Sequence, residues 1–129
     1  MVTDFEFNGD PVAKPRMTQA DRWKKRPVVE KYWKFKDAIK KQAKDQAFTL
    51  GQAYKVRFTI ALPKSMSMKQ KKAMIGKPHK SRPDLDNLIK SLNDCLMDED
   101  SSIHYFTASK KWGLTGKIVV ENLPKNLDF

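Results

Sequence analysis

The chain has 129 residues, the size of one ordinary domain. A composition of 40% hydrophobic and 32% charged residues, with five glycines and seven prolines, excludes fibrous and disordered classes. The formal net charge of +11, from 26 Lys and Arg against 15 Asp and Glu, concentrates polyanions at the surface and makes nucleic acid the leading partner.

No apolar run approaches the roughly 20 residues that a membrane-spanning helix needs. Asp4, Glu6 and Asp10 stand where a signal peptide would be basic and apolar, so a cytosolic location with no membrane partner is expected. The single Cys95 can form neither an internal disulfide nor a paired-thiol zinc site, which fits a reducing compartment.

Val2, Phe5 and Phe7 predict a first strand, ended by the turn-forming Asn8-Gly9-Asp10-Pro11. Pro11 to Pro27 has no usable periodicity and carries Lys14, Arg16, Arg22, Lys24, Lys25 and Arg26, which reads as a long basic loop. Trp23, in its midst, suits stacking on an opened base or packing the loop onto the body. From Val28 to about Ala47, Tyr32, Phe35, Ile39 and Ala43 recur at helical spacing.

Tyr54, Val56, Phe58, Ile60 and Leu62 alternate with Lys55, Arg57, Thr59 and Ala61, the pattern of a strand with one buried face, stopped by Pro63. Ser65 to Ile75 fits a short helix capped by Ser65 or Ser67 and ended by Gly76. A second basic loop follows, with Lys77, Lys80 and Arg82. Leu85, Leu88, Leu92 and Leu96 mark the apolar side of a helix running to about Met97. Ile103–Lys110 and Lys117–Asn122 read as two strands joined through Gly113-Leu114-Thr115-Gly116 as a hairpin. The expected fold is α/β (α+β): a small mixed sheet packed by two to three helices in a single domain over residues 1–129. Trp33, Trp112 and the six methionines are assigned to packing, and Cys95 to the core.

Between Asp84 and Asp100 the charge balance reverses: Asp84, Asp86, Asp94, Asp98, Glu99 and Asp100 face a single base, Lys90. Carboxylates repel phosphate unless they hold a divalent cation, which turns the patch into a bridge to it. Acids also favour helix starts and exit turns, and composition alone leaves both readings open. Residues two apart diverge by about 200° on a helix, so Asp84 and Asp86 can converge only if Asp84 lies in extended or cap conformation, as Pro83 before it suggests. Lys90 falls one turn beyond Asp86 on the same face, where it could neutralise a phosphate or form an ordinary Asp–Lys helix pair. An EF-hand loop counted from Asp84 would require Gly and Glu where Ile89 and Cys95 stand, and is rejected. His79 and His104 lack the partners of a zinc site.

Asp84-Leu85-Asp86-Asn87-Leu88-Ile89-Lys90, the acidic turn Asp98-Glu99-Asp100-Ser101-Ser102-Ile103 and the upstream Ala13-Lys14-Pro15-Arg16 resemble the RusA family of phage-type Holliday-junction resolvases through most of the chain. The resemblance implies a homodimeric Mg²⁺-dependent endonuclease, with Mn²⁺ as a substitute, that nicks two opposed strands of a DNA four-way junction in recombination, repair or phage replication. It carries Asp84, Asp86 and Asp100 over as metal ligands and Lys90 as the catalytic lysine. Where the family often has two adjacent aspartates this chain has Glu99-Asp100, with Asp98 close enough to compete. Asp100 is expected to be the third ligand, because it lies nearest the following strand. Asn87 is a candidate support for the ligands. Lys14, Arg16, Arg22, Lys24, Lys25, Arg26, Lys77, Lys80 and Arg82 are expected to hold DNA through phosphate contacts. The rival is a non-catalytic basic DNA-binding or architectural protein.

Overall fold

The structure is a computed structural model that describes residues 3–16 and 26–124. Its elements are β1 (Asp4–Asn8), α1 (Pro27–Asp45), β2 (Ala53–Ala61), α2 (Met68–Met74), α3 (Leu85–Leu96), β3 (Tyr105–Gly113) and β4 (Lys117–Asn122). Pro27 opens α1, where its missing N–H costs no helical bond. α2 is set by a capping box: Gln70 N donates to Ser67 Oγ (3.2 Å), and Ser67 N donates to Gln70 Oε1 (3.0 Å). Gly76, at φ +83°, turns the chain after it. No described helix is long and apolar enough to cross a membrane.

The sheet is mixed, in the order β1-β4-β2-β3. β4 pairs antiparallel with both β1 and β2, while β2 and β3 run parallel, with α2 and α3 in the connection between them. The expected β3–β4 hairpin is therefore not formed, because β2 lies between these strands. Pro63 turns the chain away after β2, and Leu114 to Gly116 cross the vacated end, where Leu62 N donates to Gly113 O (2.9 Å). The crossing needs two glycines. A Cβ at Gly113 would collide with the Thr59 side chain, and one at Gly116 with the backbone of Asp10. β3 begins two residues later than expected and runs three further, since His104 N is already bonded to Gln52 O.

One face of the sheet carries Phe5, Phe7, Ile118, Val120, Val56, Phe58 and Tyr54, all buried together with Tyr32, Phe35 and Ile39 of α1 and Leu88, Leu92 and Cys95 of α3. Burying each large apolar side chain contributes about 1.5–3 kcal/mol. Phe5 stacks on Phe48, and Phe7 meets Phe35 edge to face. Trp33 departs from its packing assignment. It follows buried Tyr32 by 100° around the helix and is 46% exposed, with Lys36 Nζ 5.3 Å from its ring centre. Met68 of α2 is likewise exposed.

α1, α3 and the segment after β1 are joined at Asp94. Its carboxylate accepts from Tyr32 Oη, Lys36 Nζ (3.3 Å) and Lys14 Nζ (3.2 Å), and one turn away Ser91 Oγ donates to Val12 O (2.6 Å). Burial alone would raise the Asp94 carboxyl, but hydrogen bonds from Tyr32, Lys14 and Lys36 outweigh it and hold the group below its ordinary 3.8. Since the folded state is then the stronger acid, this contribution is complete above the unfolded value and is lost as pH falls through the folded one. Asp94→Asn should cost about 2 kcal/mol of unfolding free energy near neutral pH and progressively less in acid. Urea denaturation at the two pH values measures this, and a deficit that does not shrink in acid would contradict the assignment.

Candidate active site

Seven residues separate α2 from Asp84 after Gly76, and they form the expected basic loop, but one that is bound to the sheet. They lie along the outer edge of β3. Gly76 N donates to Trp112 O (2.9 Å), Trp112 N to Lys77 O (3.0 Å) and His79 N to Lys110 O (3.2 Å), and Pro78 bridges to Lys111. His79 is buried at 4% exposure with its ring 4.3 Å from that of Trp112, and burial first, then the Lys110 charge, lowers its pKa. The side chains of Lys77, Lys80 and Arg82 remain exposed along this segment. A row of basic groups thus leads directly into the acidic motif.

Asp84 is the N-cap of α3 with φ −68° and ψ 144°, the extended conformation expected of a residue following Pro83. Its side chain makes no capping hydrogen bond. Asp86 lies in the first turn and is exposed, as is Lys90 one turn later. Among the described residues, the side chains of Asp84, Asp86, Asn87 and Lys90 form no hydrogen bond or ion pair. Asp86 keeps the position in the first turn that the helix dipole favours, but two other ordinary roles are not taken up. Asp84 does not cap with its carboxylate, and Asp86 and Lys90 do not pair.

After α3, Met97 is the C-cap and Ile103 N donates to Asp100 O (3.1 Å), closing the turn expected at Ser101-Ser102. The three acids of this stretch have different surroundings. Asp98 lines a cleft of about 430 Å³ between α1 and α3, together with Lys36, Lys40, Lys44 and Asp94. Glu99 Oε1 accepts from Ser101 N (3.2 Å). Asp100 lies within electrostatic reach of Tyr54, whose hydroxyl donates to Asn93 Oδ1 (2.6 Å). Burial raises the Tyr54 hydroxyl, the Asn93 bond opposes this and Asp100 adds to it, leaving it pushed up to about 12. Asn93 follows Asp86 by seven residues, two turns along the same face that carries Lys90.

Exposed carboxylates free of other partners are the donors that a hard divalent cation prefers, so the chemistry of Asp84 and Asp86 fits Mg²⁺. Asp84, Asp86 and Asp100 are not gathered as a set of three: among the described residues no group of three His, Cys, Asp or Glu side chains is close enough to hold a metal ion. Of the other candidates, Lys14 is engaged by Asp94, while Arg16 is exposed and its carbonyl accepts from Arg26 Nη2 (2.8 Å), which ties residues 16 and 26 together. Arg22, Trp23, Lys24 and Lys25 lie outside the described residues.

The roles of two residues are not visible in the sequence. Asp94 is held by partners 58 to 80 positions away, a non-local arrangement without a local pattern. Lys110 had a usable signal: it shares strand parity with Phe106, Ala108 and Trp112, so it is a lysine aimed at the helix-covered side of an edge strand.

A family model described as endodeoxyribonuclease RusA matches residues 8–121. No curated protein matches the chain. The matched span runs from the end of β1 to the penultimate residue of β4 and contains the acidic motif, the turn after α3 and both basic segments. The chain belongs to the RusA family of endodeoxyribonucleases.

Proposed function

We propose that this chain is a Mg²⁺-dependent Holliday-junction resolvase, active as a homodimer, in which Asp84, Asp86 and Asp100 hold the metal, Mn²⁺ can substitute, and Lys90 supplies a positive charge to the reacting phosphate. Family membership supports nuclease chemistry on DNA and stands against a purely architectural role. The observation that carries the reading is the pair Asp84 and Asp86 at the start of α3, exposed and free of hydrogen bonds, in a protein of net charge +11. Unpaired acids beside a basic strip weaken phosphate binding unless a cation joins the two.

A divalent ion bound there would polarise the scissile phosphate, ease deprotonation of water and balance charge on the departing oxygen. The chain's own groups do the rest. Lys77, Lys80 and Arg82, with Arg16 and the basic residues 22–26, grip phosphates and so select shape over base sequence. Lys90, one turn from Asp86 and not neutralised by it, is free to meet negative charge developing in the transition state. Asn87, half-buried without a side-chain partner, is available to orient a ligand.

A four-way junction has near two-fold symmetry and two strands to cut, which matches a two-fold dimer with one site per subunit. The test is to compare cutting of a synthetic four-way junction with that of linear duplex of the same arm sequence. Paired nicks on opposed junction strands, with duplex cut at least about a hundredfold more slowly (some 2.7 kcal/mol of barrier), are expected. Equal cutting of both substrates would reduce the reading to a structure-blind nuclease.

A further inference from the structure

The outer edge of β3 presents an arrangement that the proposed chemistry does not use. The Lys110 stem lies beside buried Phe58 on β2, and its ammonium donates to two backbone carbonyls of the incoming segment, Ser81 O and Pro83 O (2.7 Å to the latter). Pro83 is the last residue before Asp84. The two carbonyls held bracket the three-residue stretch 81–83 whose backbone delivers Asp84 to the head of α3, and Asp84 O in turn accepts from Leu88 N (3.1 Å) as the helix begins. Asp84 is held on both sides through its backbone, while its carboxylate stays free.

We propose that Lys110 is a positioning residue for the aspartate pair: by gripping Ser81 O and Pro83 O it fixes the path of the chain into α3 and with it the direction of the Asp84 carboxylate. This rests on the reading of Asp84 and Asp86 as metal ligands. Backbone carbonyls are ordinarily satisfied by other backbone groups or by water. Here a partly buried cation from a neighbouring strand takes two of them, two residues apart, at the one place where the chain enters the acidic motif. The competing account is that an inward-pointing lysine protects an edge strand from pairing with another chain. It accounts for the stem but not for the two acceptors, and Gly76 to His79 already cover the far part of that edge.

The test uses the full chain carrying Lys110→Met or Lys110→Arg, with Asp84→Asn as the control for the ligand reading. Mn²⁺ binding in the absence of DNA is followed by electron paramagnetic resonance, beside the Mg²⁺ concentration for half-maximal junction nicking and junction affinity in EDTA. Lys110→Met is expected to weaken Mn²⁺ binding about tenfold and to raise the half-maximal Mg²⁺ by a similar factor, as loss of an outer-shell support does. Junction affinity in EDTA should be unchanged. Lys110→Arg, whose guanidinium can also serve two carbonyls, should recover most of the loss. Wild-type Mn²⁺ affinity in folded Lys110→Met overturns the proposal, as does a loss confined to junction affinity, which would make Lys110 a DNA contact. If Lys110→Met does not fold, Lys110→Gln, which keeps an uncharged amide donor on a shorter stem, is judged by the same criteria. A wild-type chain that binds Mn²⁺ no better than Asp84→Asn defeats the ligand reading itself, whereas a clear Asp84→Asn defect beside a normal Lys110→Met defeats this inference alone.

Discussion

Asp86→Asn should reduce junction nicking by at least about a thousandfold, equivalent to roughly 4 kcal/mol of barrier, while junction binding stays intact or strengthens. The substitution keeps size and shape. Asp86 is exposed and its side chain makes no hydrogen bond or ion pair among the described residues, so little folding stability should be lost. On the proposed function, what disappears is one negative charge facing phosphate and one hard oxygen ligand. The first loss favours DNA binding and the second removes catalysis, so rate and affinity should move in opposite directions. Single-turnover nicking and gel-shift titration in EDTA separate them. Parallel loss of binding and activity in a folded variant would assign Asp86 to DNA contact instead.

The second large effect concerns the acids after α3. Asp100→Ala is expected to lose metal-dependent nicking to a comparable extent, while Asp98→Ala and Glu99→Ala stay within a few-fold of the parent. Glu99 is occupied by the backbone of its own turn, and Asp98 faces the cleft toward the lysines of α1. Asp100 is the acid of this turn whose charge is felt at Tyr54, and the Tyr54 hydroxyl is bonded to Asn93 of α3. Seven residues of helix rise, about 10 Å, still separate Asp86 from Asn93. An inactive Asp98→Ala beside an active Asp100→Ala would show the assignment to be wrong.

The elements were legible wherever period and burial agree. β2 alternates so regularly that its buried face follows from its residues, and the leucine stripe of α3 together with Pro83 locates the helix start and the extended Asp84. Pairing was less legible. Strands adjacent in sequence usually pair, and the glycines between β3 and β4 suggest a hairpin. Those glycines instead allow the chain to cross over β2, whose apolar residues can serve a central strand with a neighbour on each side. The ligand candidates stood out because six acids interrupt a basic chain. Their supports did not: the acceptors of Lys110 are backbone carbonyls 27 and 29 residues away, and a carbonyl has no signature in sequence.

The central claim is that the free aspartates at the start of α3 bind a divalent ion needed for DNA cleavage. It is tested most directly by incubating the purified chain with a labelled four-way junction in Mg²⁺ and in EDTA. Paired nicks are expected in Mg²⁺, restored by adding Mg²⁺ back after chelation, with bound but uncut junction in EDTA. Equal cleavage in both, or none in either Mg²⁺ or Mn²⁺, would contradict it.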